Sequence, residues 1–349
     1  MTATNQIESG IENFLQNQES ISMADVESVE HHTSGWSRET YSFDLLWIEN
    51  GTERKQRLVL RQYSPEGLLE TRLDTEYRVM NVMGESGIPV PDTFWYCEDP
   101  EVLSEPFFIL EYVDGETYNN FDPRDREMLE TAWADRSLAT QYVDVLAMIH
   151  DVDPNTVDVL DHPGETEIID RELEYWESRY RDVEIYEESI IEETLRWLRR
   201  DPPEITDRAV IHGDYNIGNM LCMDDQIMAV LDWELARVSD PLFDVGYVSI
   251  PYVGGKLIDQ PSTLLDGVAE PEWFYQEYEQ RTGYTIEEYA LDYWTALAIF
   301  SMITILQTGL SRFEAGESDV MDHAWIQYPL PGLFEDLVEI LRKHVNERS

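Results

Sequence analysis

Residues 211–246 read IHGDYNIGNMLCMDDQIMAVLDWELARVSDPLFDVG, and three polar residues in this stretch set the interpretation of the whole chain. An apolar run, Ala209-Val210-Ile211, leads into His212-Gly213, and Asp214 then stands five residues before Asn219. Asp232 follows thirteen residues after Asn219, at the end of a second apolar run from Met228 to Leu231. Phosphoryl transfer needs one carboxylate to meet an attacking hydroxyl. It also needs an amide and a second carboxylate to hold the magnesium that bridges nucleotide phosphates. Asp214 is therefore the candidate catalytic base, a role with an effect of about 10²–10⁴-fold on rate. Asn219 and Asp232 are the candidate ligands for Mg2+, a hard cation that takes oxygen donors. Gly213 lets the backbone turn sharply, and His212 braces the loop. A polar turn would explain His-Gly-Asp by itself, and a lone strand-end aspartate is commonly a cap; neither explains the three residues together. Trp233 and Glu234 read as packing and local hydrogen bonding, and Asp240 and Asp244 as loop braces or helix caps.

Upstream of this stretch the pattern is mostly β. After an amphipathic helix over Ile7–Gln16, Thr40–Ile48 and Gln56–Gln62 read as strands joined by an Asn50-Gly51 hairpin turn. Asp74 is positioned to cap a helix from Thr75 to about Glu85, and Thr93–Cys97 and Phe107–Tyr112 complete a small sheet. Arg61 could reach nucleotide phosphates from its strand, with Glu76 on the following helix holding it. The bland alternative is an exposed arginine and a surface glutamate. Gly35 and Ser37 could fold over phosphates, although one glycine without a GxGxxG pattern suits a plain hairpin equally. Backbone groups from Glu111 to Val113 could read an adenine edge.

Beyond Asp114 the periodicity turns helical. Helices are expected over Ser137–His150, Ile168–Asp182, Glu187–Arg200, Glu270–Arg281, Ile286–Leu306 and Leu333–His344, with a hairpin turning at Asp224-Asp225. His150 reads as a packed, hydrogen-bonded residue. The fold class is thus α+β, bilobal and protein-kinase-like, with a small β-rich lobe over 1–112 and a larger, mainly helical lobe over 113–349. From this topology, Arg171–Trp197 and Tyr252–Trp294 are expected to line an acceptor pocket.

The 349 residues can bury a sizeable core. Their formal net charge is −48, from 72 acidic and 24 basic residues, and only Lys55, Lys256 and Lys343 are lysines. Acidic residues run along the whole chain, and 42% of residues are apolar, which argues for a packed core under an acidic coat rather than disorder. This is a halophilic type of composition. At molar salt the Debye length falls to about 3 Å and self-repulsion is screened. Melting curves are therefore expected to show higher stability at molar KCl than in dilute buffer; equal midpoints would contradict the halophilic reading. With no basic patch, nucleic acid is not an expected partner. Cys97 and Cys222 lack disulfide-framework or metal-ligand spacing and read as buried thiols. The sequence MTATNQIESG has neither a basic start nor an apolar core, which predicts no secretory signal and a cytoplasmic location. Tyr293–Leu306, the longest nearly apolar run, reads as a core helix too short to span a bilayer, so no membrane is expected as a partner.

Several segments together carry a family resemblance: VLRQYSPEGLL (59–69), TEYRVM (75–80), IPVP (88–91), EPFFILEYVDGE (105–116), LAMIHDVD (146–153), IHGDYNIGNML (211–221) and AVLDWELARVSDPLFDVGYV (229–248). In these the chain resembles the aminoglycoside phosphotransferase and choline-kinase-like superfamily. It is most similar to the phosphotransferase branch that also occurs fused to acyl-CoA dehydrogenases. The resemblance implies a small-molecule kinase that moves the γ-phosphoryl group of ATP or GTP to a substrate hydroxyl, with Asp214 as base and Asn219 and Asp232 on Mg2+. The branch points to hydroxy acids or hydroxyacyl thioesters as acceptors. A nucleotide-binding regulatory protein without transfer, and an aminoglycoside-type antibiotic kinase, are the competing readings. Arg61 departs from the general pattern, since kinase-like enzymes usually carry lysine there.

Overall fold

A computed structural model describes residues 3–32, 38–65, 67–68, 71–256, 263–316 and 328–345. Gly35 and Ser37, the candidate phosphate-loop residues, lie outside the described residues. The amino-terminal part is a five-stranded antiparallel sheet in the order β1-β2-β3-β5-β4. Its strands are β1 (Ile21–His32), β2 (Arg38–Glu49), β3 (Thr52–Tyr63), β4 (Thr93–Cys97) and β5 (Phe107–Glu111). Asn50 and Gly51, both at positive φ, form the two-residue turn between β2 and β3. The side-chain alternation of β3 orders this lobe. Leu58 and Leu60 are fully buried in a core with Phe43, Leu45 and the helix α1 (Ala3–Gln16), while Val59 and Arg61 face the opposite side and line a cavity. The helix α2 (Leu73–Glu85) packs on that second side through Val79, Met80 and Met83. It starts earlier than expected, and Asp74 sits in its first turn paired with Arg72 instead of capping it.

After a short helix α3 (Pro100–Leu103) and strand β5, the chain is mainly helical: α4 (Pro123–Ala132), α5 (Ser137–His150), α6 (Glu165–Val183), α7 (Ser189–Arg200), α8 (Leu242–Val248), α9 (Pro271–Thr282), α10 (Glu288–Ala315) and α11 (Leu330–Val345). Two small antiparallel pairs interrupt the helices. Strand β6 (Ala209–Ile211) pairs with β9 (Arg237–Ser239), and β7 (Met220–Met223) pairs with β8 (Gln226–Val230) across Asp224-Asp225, both at positive φ. The fold is thus α+β and bilobal, as the sequence pattern implied.

Helix α10 is longer than the expected Ile286–Leu306. It has the length and composition of a membrane-crossing helix, but 78% of its apolar window is buried inside the protein, against α6, α7, α8 and α11. Gly246 sets the fit of α8 on it. A Cβ there would stand 2.7 Å from Thr295 N and 2.8 Å from the Trp294 carbonyl carbon, so only glycine admits this close approach. Cys97 and Cys222 are both buried and free, and burial pushes the Cys222 thiol up to about 12.

Candidate active site

Strand β6 delivers the chain into the loop that holds Asp214, and hydrogen bonds from several directions fix that loop. Gly213 has φ +85°, and a Cβ there would meet Leu235 O and Arg237 Nη1, each at 2.6 Å. The side chain of Asp244, fully buried on α8, caps the turn: His212 N donates to Oδ2 at 2.7 Å and Gly213 N to Oδ1 at 2.8 Å. His150 Nε2 lies 3.1 Å from the same carboxylate, and its Nδ1 lies 2.7 Å from the Tyr278 hydroxyl. Burial alone would raise the Asp244 pKa; the contacts with His150 and His212 outweigh it and hold the carboxyl below the usual carboxylate value. Asp244 is thus the loop brace. Asp240 is a cap, accepting from Leu242 N at 2.8 Å and from Thr206 N at 2.6 Å, and burial pushes it up to about 7.

The Asp214 carboxylate is held open to the cavity by amide donors. Asn216 Nδ2 donates to Oδ1 at 2.9 Å and Asn219 Nδ2 to Oδ2 at 2.8 Å. The Tyr247 hydroxyl, from α8, also hydrogen-bonds to it. Burial pushes the Asp214 carboxyl above the ordinary carboxylate range; the Tyr247 and Asn219 hydrogen bonds work against that shift, and the Asp232 charge adds to it.

The hairpin β7–β8 brings the two candidate metal ligands together. Its register pairs Met220 with Val230, and Leu231 N donates to Asn219 O at 2.8 Å, which places Asp232 one residue beyond Asn219's partner. The His212 imidazole reaches Leu231 O at 2.9 Å and so ties the catalytic loop to this strand end. Asp232 itself adopts φ +67°, a left-handed conformation that aspartate tolerates better than bulkier residues. The Asn219 amide nitrogen is spent on Asp214, which leaves its amide oxygen as the group for a cation. Both residues line the cavity. An amide oxygen and a carboxylate side by side fit Mg2+, which commonly takes one or two protein oxygens and completes its shell with phosphate oxygens and water.

Arg61 and Glu76 meet as the sequence suggested, and neither is a surface residue. Arg61 Nη1 stands 2.9 Å from Glu76 Oε1, and Glu76 is fully buried. Arg61 Nη2 donates to Asp232 Oδ1 at 2.9 Å, so the sheet of one lobe is tied to the Asp232 loop of the other. Burial opposes the charge on Arg61, but Glu76, Asp232 and Glu234 together raise its pKa above the ordinary arginine value. Arg61 Nε is buried without a hydrogen-bond partner among the described residues. Glu111, Tyr112 and Val113 line the same cavity, although Glu111 N is used within the protein, donating to Asp92 O at 2.8 Å.

The cavity holds about 750 Å³ and brings Arg61, Glu111, Val113, Asp214, Asn219 and Asp232 together. Its lining also includes Tyr118, Phe121, Tyr252, Val253, Met302 and Ile305. Of the segments expected to form an acceptor pocket, Tyr252–Trp294 contributes Tyr252, Val253 and Asp266, whereas no described residue of Arg171–Trp197 lines it. That segment lies on α6 and α7, packed on α10, because its apolar stripe is needed for the core. Two cavity-lining positions escaped the sequence reading. One is Tyr247, hidden in an apolar helix; the other is Asp266, a buried carboxylate accepting from Tyr142, Asn120 and Ile217 N.

This arrangement defines a kinase-like phosphotransferase fold, and comparison with known proteins agrees. The profile of the phosphotransferase enzyme family (APH) matches residues 28–280, and the chain belongs to that family. It is 28% identical over 283 residues to mouse acyl-CoA dehydrogenase family member 10, covering 75% of this chain and 25% of that protein. It is 27% identical over 303 residues to chicken acyl-CoA dehydrogenase family member 11, covering 83% and 37%. The chain therefore spans well under half the length of these relatives. Among solved structures, one from Ralstonia eutropha, provisionally assigned as an aminoglycoside phosphotransferase, superposes with a TM-score of 0.72 at 23% identity, over 97% of this chain and 98% of that one. The GDP complex of aminoglycoside 2'-phosphotransferase-IIIa superposes at 0.61 with 16% identity, over 96% and 99%. At these identities the superpositions speak for the fold.

Proposed function

We propose that the chain is a Mg2+-dependent small-molecule kinase that transfers the γ-phosphoryl group of ATP or GTP to an alcohol. The observation that carries this reading is the convergence of Asp214, Asn219, Asp232 and Arg61, itself paired with the buried Glu76, on one cavity. Asp214 orients the acceptor hydroxyl and takes its proton as the oxygen bonds to the γ-phosphorus and the bond to the β–γ bridging oxygen breaks. Asn219 and Asp232 would hold Mg2+, which when bound would supply positive charge against the phosphates. Arg61 supplies a second, permanent positive charge with a planar fork of donors in place of the usual lysine. The Glu111–Val113 segment, which lines the same cavity, would receive the nucleotide base.

The acceptor side supports an apolar body over a polycation. Tyr118, Phe121, Tyr252, Met302 and Ile305 give it an aromatic and aliphatic wall. Asp266, another carboxylate of the cavity lining, is occupied by three donors. Kinship with acyl-CoA dehydrogenase family members favours a hydroxy acid or hydroxyacyl thioester. The test is nucleotide turnover at high KCl with Mg2+ against a panel of hydroxy acids, hydroxyacyl thioesters, amino alcohols and aminoglycosides. Turnover with the first two classes supports the reading; turnover with aminoglycosides alone would replace it.

The pH profile carries a further expectation. Since the Tyr247 hydrogen bond lowers the Asp214 pKa, Tyr247→Phe should raise it. The base works deprotonated, so the acid limb of kcat/KM should move to higher pH. A limb that stays in place or moves to lower pH would separate Tyr247 from the base.

A further inference from the structure

The mechanism above leaves one buried cation unused. Arg38 opens β2, and its side chain is 1% exposed. Its Nε donates to Glu76 Oε2 at 3.3 Å, and its Nη2 donates to Thr71 Oγ1 and stands 3.3 Å from Glu234 Oε2. Thr71 Oγ1 in turn donates to Glu234 Oε2 at 2.9 Å. Glu76 therefore has a guanidinium at each oxygen, Arg61 as an ion pair at Oε1 and Arg38 hydrogen-bonded at Oε2. Followed residue by residue, the charges run Asp232–Arg61–Glu76–Arg38–Glu234. They leave the Asp232-Trp233-Glu234 loop and return to it through β3, α2 and β2. The loop is thus clasped to the nucleotide side of the small lobe at both ends.

We infer that Arg38 is a positioning residue that makes the phosphate arginine and the metal loop one charge-coupled unit. The inference rests on the kinase reading. A buried carboxylate with one cationic partner draws that partner fully to itself, because an unpaired buried charge is costly. By taking Oε2, Arg38 relieves Arg61 of half that demand and leaves its second nitrogen directed towards Asp232 and the cavity. By holding Glu234, it keeps the residue two places beyond Asp232 at a fixed distance from the same glutamate. Lysine would preserve the charge but cannot span two carboxylates as a fork.

The test uses the full chain at high KCl and titrates a non-hydrolysable ATP analogue with Mg2+ by calorimetry, with a melting curve for each variant. Arg38→Met is expected to weaken analogue binding about tenfold, the scale of one charged hydrogen-bonded contact. Arg38→Lys should fall between it and wild type, and the KM for the acceptor should move less than twofold. In a double-mutant cycle with Glu234→Gln, the combined loss should be smaller than the product of the single losses, as for groups in one network. Analogue binding by folded Arg38→Met equal to wild type, or a multiplicative cycle, would overturn the inference while leaving the kinase reading intact. Should Arg38→Met fail to fold, the lysine variant decides: weakened binding supports the inference and unchanged binding overturns it. A wild-type chain that binds no analogue would overturn both.

Discussion

Asparagine in place of Asp214 is expected to lower kcat by about two to four orders of magnitude, some 3–5 kcal/mol of transition-state free energy at about 1.4 kcal/mol per decade. The amide keeps the shape of the carboxylate but cannot accept the proton that the acceptor hydroxyl loses. It also leaves the turn in place, since Asp244 fixes it through the His212 and Gly213 amides rather than through Asp214, while one of the Asn216 and Asn219 amides loses its acceptor. Nucleotide affinity should change little because Arg61, Glu76 and the Glu111–Val113 segment are untouched. Single-turnover transfer together with equilibrium nucleotide binding measures the two quantities separately. Equal losses in both would mean that the substitution damages the fold of the site and not the proton transfer.

Removal of Asp232 is expected to have the other large effect. Asp232→Ala deletes one of the two protein oxygens proposed for Mg2+. Groups that hydrogen-bond to a metal's ligands are worth about 10–100-fold in metal affinity or activity, so loss of the ligand itself should raise the Mg2+ concentration for half-maximal turnover by at least that factor. Arg61 would lose its contact at 2.9 Å but keep Glu76, also at 2.9 Å. Because Asp232 is partly exposed, the melting temperature should change little. A Mg2+ titration of turnover beside a melting curve reads both. An unchanged Mg2+ requirement would remove Asp232 from the metal site.

How much of this was legible in the sequence depends on how local each signal is. Asp214, Asn219 and Asp232 could be read because strand ends and a hairpin fix them, and the hairpin register Met220–Val230 then places Asn219 and Asp232 as near neighbours. The Asn50-Gly51 and Asp224-Asp225 turns were equally local. Strand β1 was not legible as a strand: only Ile21, Ala24 and Val26 of its twelve residues are buried, it pairs on one side alone, and bulges break its alternation. Helix α10 outran its expected end because burial continues through Thr308 and Gly309, polar or small residues that a hydropathy pattern discounts. Arg38 illustrates the general reason for the misses. Its partners Thr71, Glu76 and Glu234 lie far along the chain, and no spacing rule brings them to one point. The acceptor wall has the same origin, assembled from residues near 118, 252 and 302 that share no motif.

The most direct test is label transfer. The full chain at high KCl with Mg2+ is incubated with ATP or GTP labelled in the γ-phosphate and a panel of hydroxylated acceptors, and label is sought in a phosphate ester. The site described here predicts that label appears in an acceptor with the wild-type chain and falls at least about a hundredfold with Asp214→Asn. Bound nucleotide with no label in any acceptor, or equal transfer by both chains, would contradict it.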